Sequence, residues 1–324
     1  MDNYEKDSLL ENNKLSHSRT VCSLKNLIWC ILLMLAICMF LSTRDSGVHW
    51  NEADEILLND TTLSPIFREF YKCVKPKLAP LKGNYEKFWH DFVHRASKCE
   101  DLDVYKALEV RATKNKDEIK YVAFPKKREN LTMVTLGIGH DVDAEIALKK
   151  LYPSKIEFYG ADPNPEINKQ LYEQELGGKY FQYAVGDRSG MEDSMVLETN
   201  ESYIQRKIEH IGIDSFFKDI VQKKRIDILW IDIEGNEYPV LRQLHRNGVL
   251  DRDGVKVCQL NVEMHKDLSD WNEMKLFHEF IWKVLDDRRY VFMKPVVLDY
   301  IPARNIRLFI VNVEDQECAD LYIR

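Results

Sequence analysis

The sequence predicts an open, doubly wound α/β sheet of seven strands ending in an antiparallel hairpin, preceded by one transmembrane helix and a small helical cap. Three observations carry this. Seven short apolar runs recur after residue 130, helical segments separate all but the last two, and one uncharged apolar stretch lies near the N-terminus.

The strand runs fall at 133–137, 156–160, 181–185, 226–231, 257–262, 290–297 and 307–313. Helical spacing occupies 144–152, 165–176, 214–222, 238–244 and 271–286. Strand–helix alternation implies right-handed crossovers, hence a mostly parallel sheet with helices on both faces. Ile301-Pro-Ala-Arg-Asn is too short for a crossover, so the last two strands pair as a hairpin. Upstream, residues 65–72 and 84–99 have helical apolar spacing, with Pro76 and Pro80 between them.

The apolar stretch is Leu27–Leu41, inside a charge-free window from Asn26 to Thr43. Eighteen residues at about 1.5 Å each span about 27 Å, enough for a thin bilayer. The run is apolar on every side, unlike an amphipathic core helix. A cleaved signal peptide would need an n-region of about 25 residues and a small-residue cleavage site, which is not evident here. Lys14, Arg19 and Lys25 precede the run, while Asp45, Glu52, Asp54 and Glu55 follow it. The positive-inside rule then sets a cytosolic tail and a lumenal or external body, a single-pass type II arrangement of the ER or Golgi. Sequons at Asn59, Asn130 and Asn200 all follow the anchor. The expected organisation is a tail at 1–25, an anchor at 26–43, a stem at 44–64, a helical cap at 65–130 and the α/β domain at 131–324.

Residues 1–44 hold four acids and five bases, leaving 49 acids and 41 bases beyond them. That acidic body argues against nucleic acid as a partner, since such affinity comes from neutralising phosphates. Near-average apolar and charged fractions exclude a wholly disordered, collagen-like or polytopic chain. Cys22, Cys30 and Cys38 lie in or beside the anchor, where palmitoylation or packing accounts for them. Cys73, Cys99, Cys258 and Cys318 lie beyond it, and three pairings are open to them. No Cys/His spacing points to zinc, and no metal is expected.

The residues that carry chemistry cluster at the carboxyl ends of the strands. The first strand runs into Gly137-Ile-Gly139-His140-Asp141, where glycines admit close backbone approach to a nucleotide-like ligand; tight turns use glycine for their own sake as well. Asp162 ends the second strand, 23 residues past Gly139, where a carboxylate can hold a ribose diol or can serve the following helix as a cap. Asp187 ends the third and could meet an adenine amino group or simply shape a turn. Asp232 ends the fourth, inside Asp232-Ile-Glu234-Gly235-Asn-Glu237; Glu234 or Glu237 could cap the next helix. Glu263 and His265 end the fifth on one side of the strand. His265 titrates near neutrality and could act as a base or be a satisfied structural histidine.

Together these motifs resemble the FkbM-type family of S-adenosylmethionine-dependent methyltransferases, especially its nematode-like, lumenal branch. The resemblance rests on Ala161-Asp162-Pro-Asn-Pro, Val185-Gly-Asp187, Gly212-Ile-Asp214-Ser-Phe-Phe, Asp232-Ile-Glu-Gly-Asn-Glu237 and Asn261-Val-Glu-Met-His265, and covers about 131–315. It implies a class I methyltransferase Rossmann-like domain with S-adenosylmethionine as cofactor. Gly137 and Gly139 would line its methionine portion, Asp162 its ribose and Asp187 its adenine, with Asp232 at the reactive centre. Two departures stand out. The family carries an acid two residues before the first glycine, where this chain has Thr135; and His140-Asp141-Val142 replaces a third glycine, leaving Asp141 to compensate.

The expected reaction is an in-line transfer of a methyl group to a hydroxyl, with His265 as the first candidate base and Asp232 or Glu263 orienting or replacing it. The resemblance implies a glycan hydroxyl as the acceptor. Two other readings fit an anchored lumenal α/β chain. One is a Golgi glycosyltransferase, which Asp232-Ile-Glu234 imitates poorly as an Asp-x-Asp site; the other is a catalytically silent binding module.

Overall fold

A computed structural model describes residues 50–116, 118–266, 271–299 and 304–324, together with Trp29. The expected anchor at 26–43 lies outside these residues apart from Trp29. Among the described residues no helix is long and apolar enough to cross a membrane.

Three helices come first: α1 (Glu52–Asn59), α2 (Pro65–Leu78) and α3 (Tyr85–Ala96). Helix α1 falls in the segment expected to be a polar stem; its buried Asp54 hydrogen-bonds to the Tyr71 hydroxyl. Pro65 opens α2, where its missing N–H is no loss. The helix continues through Pro76 to Leu78 because Val74 and Leu78 are buried, and that packing outweighs one lost backbone bond. Asn84 caps α3 by accepting the Lys87 N–H at 3.0 Å. Phe88, Trp89 and Phe92 pack on Phe277 of the long helix Trp271–Asp287, and Phe70 meets Phe292 edge-on at 4.8 Å. A Cys73–Cys99 disulfide ties α2 to the turn after α3.

Next comes a hairpin, β1 (Glu109–Lys114) and β2 (Ile119–Phe124), in a stretch expected to be helical. The reading missed it because β1 is largely exposed and polar and leaves no alternating apolar signal.

The main sheet is built from β3 (Leu131–Leu136), β4 (Ile156–Ala161), β5 (Lys179–Phe181), and later strands of the chain. Helices α4 (Asp143–Leu151) and α5 (Pro165–Gln170) fill the first two crossovers. The expected third strand at 181–185 divides in two. Its beginning is β5, and its end is β6 (Ala184–Gly186), which pairs instead with a long antiparallel arm, β7 (Gly190–Leu197) and β8 (Tyr203–Gly212). The arm also escaped the sequence reading, since most of its side chains are exposed and polar.

The chain then returns to the sheet. Short β9 (Arg225–Ile226) leads into β10 (Ile228–Ile231), followed by α6 (Glu237–Arg242), β11 (Lys256–Val257), β12 (Gln259–Met264), α7 (Trp271–Asp287), β13 (Tyr290–Asp299), β14 (Arg304–Asn312) and α8 (Gln316–Tyr322). The seven-strand order is β13-β14-β12-β10-β3-β4-β5, with β14 antiparallel to both neighbours. The terminal hairpin is therefore as expected. Strands β3, β10 and β12 are buried along their whole length, which explains their unbroken apolar runs. The Cys258–Cys318 disulfide fastens α8 to the sheet. Glu52–Arg324 form one compact unit.

Two buried amides position the first hairpin. Gln259 exchanges hydrogen bonds with the backbone of Ala123 at 2.7 and 3.0 Å, and Asn261 does so with Tyr121 at 3.0 and 2.7 Å. Side chains of β12 thus stand in for a strand partner and hold β2 over the end of the sheet.

Candidate active site

Order reversal in the sheet occurs between β3 and β10, and a cleft of about 990 Å³, open solvent included, lies at their carboxyl ends. Gly137, Gly139, Asp141, Asp162 and Asp232 line it, with Tyr183, Ala184, Val185, Lys120, Glu118 and Asn115.

The glycine turn is shaped by close approach. Gly137 has φ +80°, and a Cβ there would fall 1.7 Å from the carbonyl oxygen of Asp232. Gly139 has φ +64° and nothing within 4 Å of its would-be Cβ, so its backbone faces open space. Asp162 accepts the N–H groups of Ile138 and Asn164, both at 2.9 Å, fastening β4 to the turn. The cap of α5 is Asn164, not Asp162. Burial pushes the Asp162 carboxyl above its ordinary range, opposed by hydrogen bonds from the N–H groups of Ile138, Asn164 and Gly139 and from the Asn168 side chain.

Asp141 is committed elsewhere. It accepts from Asp143 N–H at 2.8 Å and from Lys116 N–H at 2.9 Å, so it ties the start of α4 to the β1–β2 turn. The acid that stands beside Thr135 is Glu145 of α4: the Thr135 hydroxyl donates to its Oε1 at 3.0 Å, and Tyr172 donates to Thr135 at 3.2 Å. Glu145 is 2% exposed, lines the cleft, and its Oε2 has no hydrogen-bond partner. Burial pushes its carboxyl up to about 7. Its sequence signal is faint: Glu145 shares the inward face of α4 with Ala144 and Leu148.

Asp187 is exposed in the turn between β6 and β7 and does not line the cleft. Splitting of the third strand turns its end toward the arm.

The fourth and fifth strand ends converge. Glu237, fully buried, accepts from Ile233 N–H and Gly235 N–H, both at 3.0 Å, and from His265 Nδ1 at 2.8 Å. The imidazole of His265 is held well above its ordinary value, so Nδ1 carries a proton and donates to Glu237 beside the two backbone N–H groups. Nε2 of His265 faces Glu234 at 3.3 Å, Glu263 at 3.5 Å and Asp232 at 3.6 Å. Burial works against its charge, yet Glu237, Asp232 and Glu234 hold the imidazole well above its ordinary value. Glu263 is taken up by Asn305 at 2.6 Å and Arg307 at 2.5 Å; burial raises its carboxyl, but His265 and Arg307 bring it below the ordinary value. Asp232 alone of the expected catalytic three lines the cleft. Burial and the neighbouring Glu263 push its carboxyl upward, and its Oδ1 lacks a hydrogen bond.

Lys120 enters from β2, 2.5 Å from Glu118. Burial works to discharge it, but Glu118 and Asp232 carry it above the ordinary lysine value. Asp232, Glu237 and His265 also bring one possible metal-ligand atom each within 4.8 Å of the others. Glu237, however, already accepts three hydrogen bonds.

The sequence pattern of the methyltransferase FkbM domain matches residues 74–292. The match begins earlier than the motifs above and takes in α3 and the first hairpin. An uncharacterized protein of Caenorhabditis elegans is 24% identical over 275 residues, covering 82% of this chain and 83% of that one. Among solved structures, M. capricolum TrmK in complex with S-adenosyl-homocysteine aligns with 14% identity and a TM-score of 0.31, covering 58% of this chain and 64% of that one, just under two thirds of its length. Human methyltransferase 10 domain containing protein aligns with 9% identity and a TM-score of 0.33, covering 58% and 74%. Glycines at positive φ, the carboxylate of Asp162 on the cleft wall and the open oxygen of Glu145 fit a cationic nucleoside cofactor. The chain belongs to the FkbM methyltransferase family, whose methyl donor is S-adenosylmethionine.

Proposed function

We propose that this methyltransferase acts on oxygen, transferring the methyl group to a hydroxyl of a glycan inside the secretory pathway. The observation that carries the O-transfer reading is the position of Asp232: a carboxyl on the cleft wall, at the strand end beside the glycine turn, with one oxygen lacking a hydrogen bond. A hydroxyl acceptor must shed a proton as its oxygen bonds to carbon, and a carboxylate of raised basicity takes that proton more readily than an ordinary one.

The cofactor supplies an electrophilic methyl on sulfur. Residues of this chain do the rest. Gly137 and Gly139 accommodate the amino-acid portion and Asp162 the ribose; Tyr183, Ala184 and Val185 take the place at the adenine for which Asp187 was expected. Asp232 orients the acceptor and takes its proton. His265, held by Glu237 and ringed by carboxylates, stays protonated in the free protein and keeps Asp232 in position from behind. Glu263 braces the fifth strand end through Arg307. Tyr203, half exposed on the cleft rim, offers an aromatic face of the kind sugar rings stack on.

The secretory location is supported by exposed sequons at Asn59, Asn130 and Asn200 and by the pairing of all four cysteines beyond residue 44. The 26–43 run then serves as a signal anchor. The test is incubation of the purified full chain with labelled S-adenosylmethionine and released glycans. A mass increase of one methyl on a sugar hydroxyl is the expected result; label on nitrogen or on protein, or cofactor binding with no transfer, would sink the O-glycan reading.

A further inference from the structure

We propose that Glu145 anchors the ammonium group of the amino-acid portion of the cofactor, a role that rests on the cofactor reading of the cleft. Its carboxylate sits deep in the wall shared with Thr135, Gly137 and Asp232. Oε1 is the end of a directional chain in which Tyr172 donates to Thr135 and Thr135 donates to Glu145. The chain is rigid at its origin: Tyr172 is fully buried, and its ring lies within 2.6–2.7 Å of where a Cβ on Gly160 or Gly178 would stand. The orientation of Glu145 is therefore fixed, and it presents Oε2 without a hydrogen bond.

A buried carboxylate oxygen left without a donor is costly, so a ligand that brings one gains what the free protein lacks. Neighbouring side chains do not fill the role. Lys120 is committed to Glu118, and both Thr135 and Tyr172 spend their protons within the chain. A class of ligand follows from the chemistry of the cofactor. Its sulfonium carries charge but no N–H or O–H, so it cannot complete the oxygen. Its ammonium carries three donors and does so with a charge-assisted bond. Placement agrees, because Thr135 and Gly137 lie on the strand end that admits the amino-acid portion. Carboxyl basicity agrees as well: burial holds the free group near 7, and an ammonium partner would keep it ionised.

The experiment compares two ligands on the full chain: S-adenosylhomocysteine and its analogue with hydrogen in place of the α-amino group. Calorimetry should show the wild type binding the amino form about ten- to a hundredfold more tightly. Glu145→Gln, which preserves the bond from Thr135, should weaken the amino form and bind both ligands alike. Wild type that binds both equally overturns the assignment and leaves the cofactor reading standing. A variant that keeps the discrimination overturns it too, as does one that weakens both ligands by the same factor, since that marks a structural role. Wild type that binds neither ligand overturns the cofactor reading and this assignment with it.

Discussion

The α-carbon of Gly137 lies so close to the carbonyl of Asp232 that a β-carbon would overlap it at 1.7 Å. The contact joins the turn after β3 to the end of β10, the two strands that flank the point of order reversal. One residue without a side chain thus sets how near the cofactor turn comes to the candidate base.

Gly137→Ala should therefore separate those two strand ends. The positive φ adds roughly 1–2 kcal/mol of strain to the clash. Thermal unfolding should show a loss of stability of several kcal/mol, and cofactor titration should show no saturable binding. Gly139→Ala has the φ penalty alone, so it should remain folded and bind with a moderate loss. Equal behaviour of the two variants would refute the contact.

Asp232→Asn should separate binding from turnover. The side chain keeps its size and the turn keeps its shape, so the dissociation constant for S-adenosylhomocysteine should change by less than about threefold. Turnover should drop by about 10²–10⁴, the usual contribution of a positioned base. In the wild type, turnover should rise with pH through a pKa above the ordinary carboxylate range, because burial and Glu263 both raise this group and only its ionised form takes a proton. Full activity in Asp232→Asn, or an acid limb near pH 4, would remove the base assignment.

Much of this site was legible in the sequence, and the remainder has physical reasons for being hidden. Asp162, Gly137, Gly139 and Asp232 announce themselves because strands buried on both faces end abruptly in polar residues. The count of seven strands and the antiparallel terminal hairpin followed from the same runs. Lys120 and Glu118 could not be read in this way, since the other strand of their hairpin is exposed and polar and gives it no apolar period, and Tyr203 opens a strand of the exposed polar arm. The acid beside Thr135 is Glu145 rather than the expected Asp141: proximity in sequence to the glycines favoured Asp141, but one helical turn carries Glu145 inward to Thr135, while Asp141 is spent on the first N–H of α4 and on Lys116. Asp187 was misplaced for a related reason, because an apolar run gives no sign that it changes sheets midway.

Glu145 also makes a prediction about stability without ligand. Its carboxyl titrates near 7 in the folded chain and near 4.5 when unfolded. Below pH 4.5 both states hold the proton and the term vanishes. Between pH 4.5 and 7 the unfolded state ionises first, so folding stability falls as pH rises and levels off above 7. Lys120, Glu118 and Tyr172 are the titratable groups that face it; Lys120 is held above the ordinary lysine value and Tyr172 well above the ordinary phenol value, so neither titrates inside that window. Denaturant unfolding from pH 5 to 8 should show this decline in wild type and a flatter profile in Glu145→Gln. Identical slopes would exclude Glu145 as the source.

The last prediction concerns compartment. Cys73–Cys99 and Cys258–Cys318 close loops of 26 and 60 residues. By chain entropy each contributes about 3–4 kcal/mol, acting mainly on the unfolded state. The second fixes α8, whose Tyr322 and Cys318 are fully buried, so opening it should release a helix from the core. A chain made in a reducing cytosol would lose both terms, whereas one made in the secretory pathway keeps them and presents Asn59, Asn130 and Asn200 to the glycosylation machinery. Expression in animal cells should yield a protein that migrates faster after endoglycosidase treatment, in up to three steps. It should show no free thiol at these four cysteines. Free thiols there, together with unchanged migration, would overturn the lumenal reading while leaving the methyltransferase assignment intact.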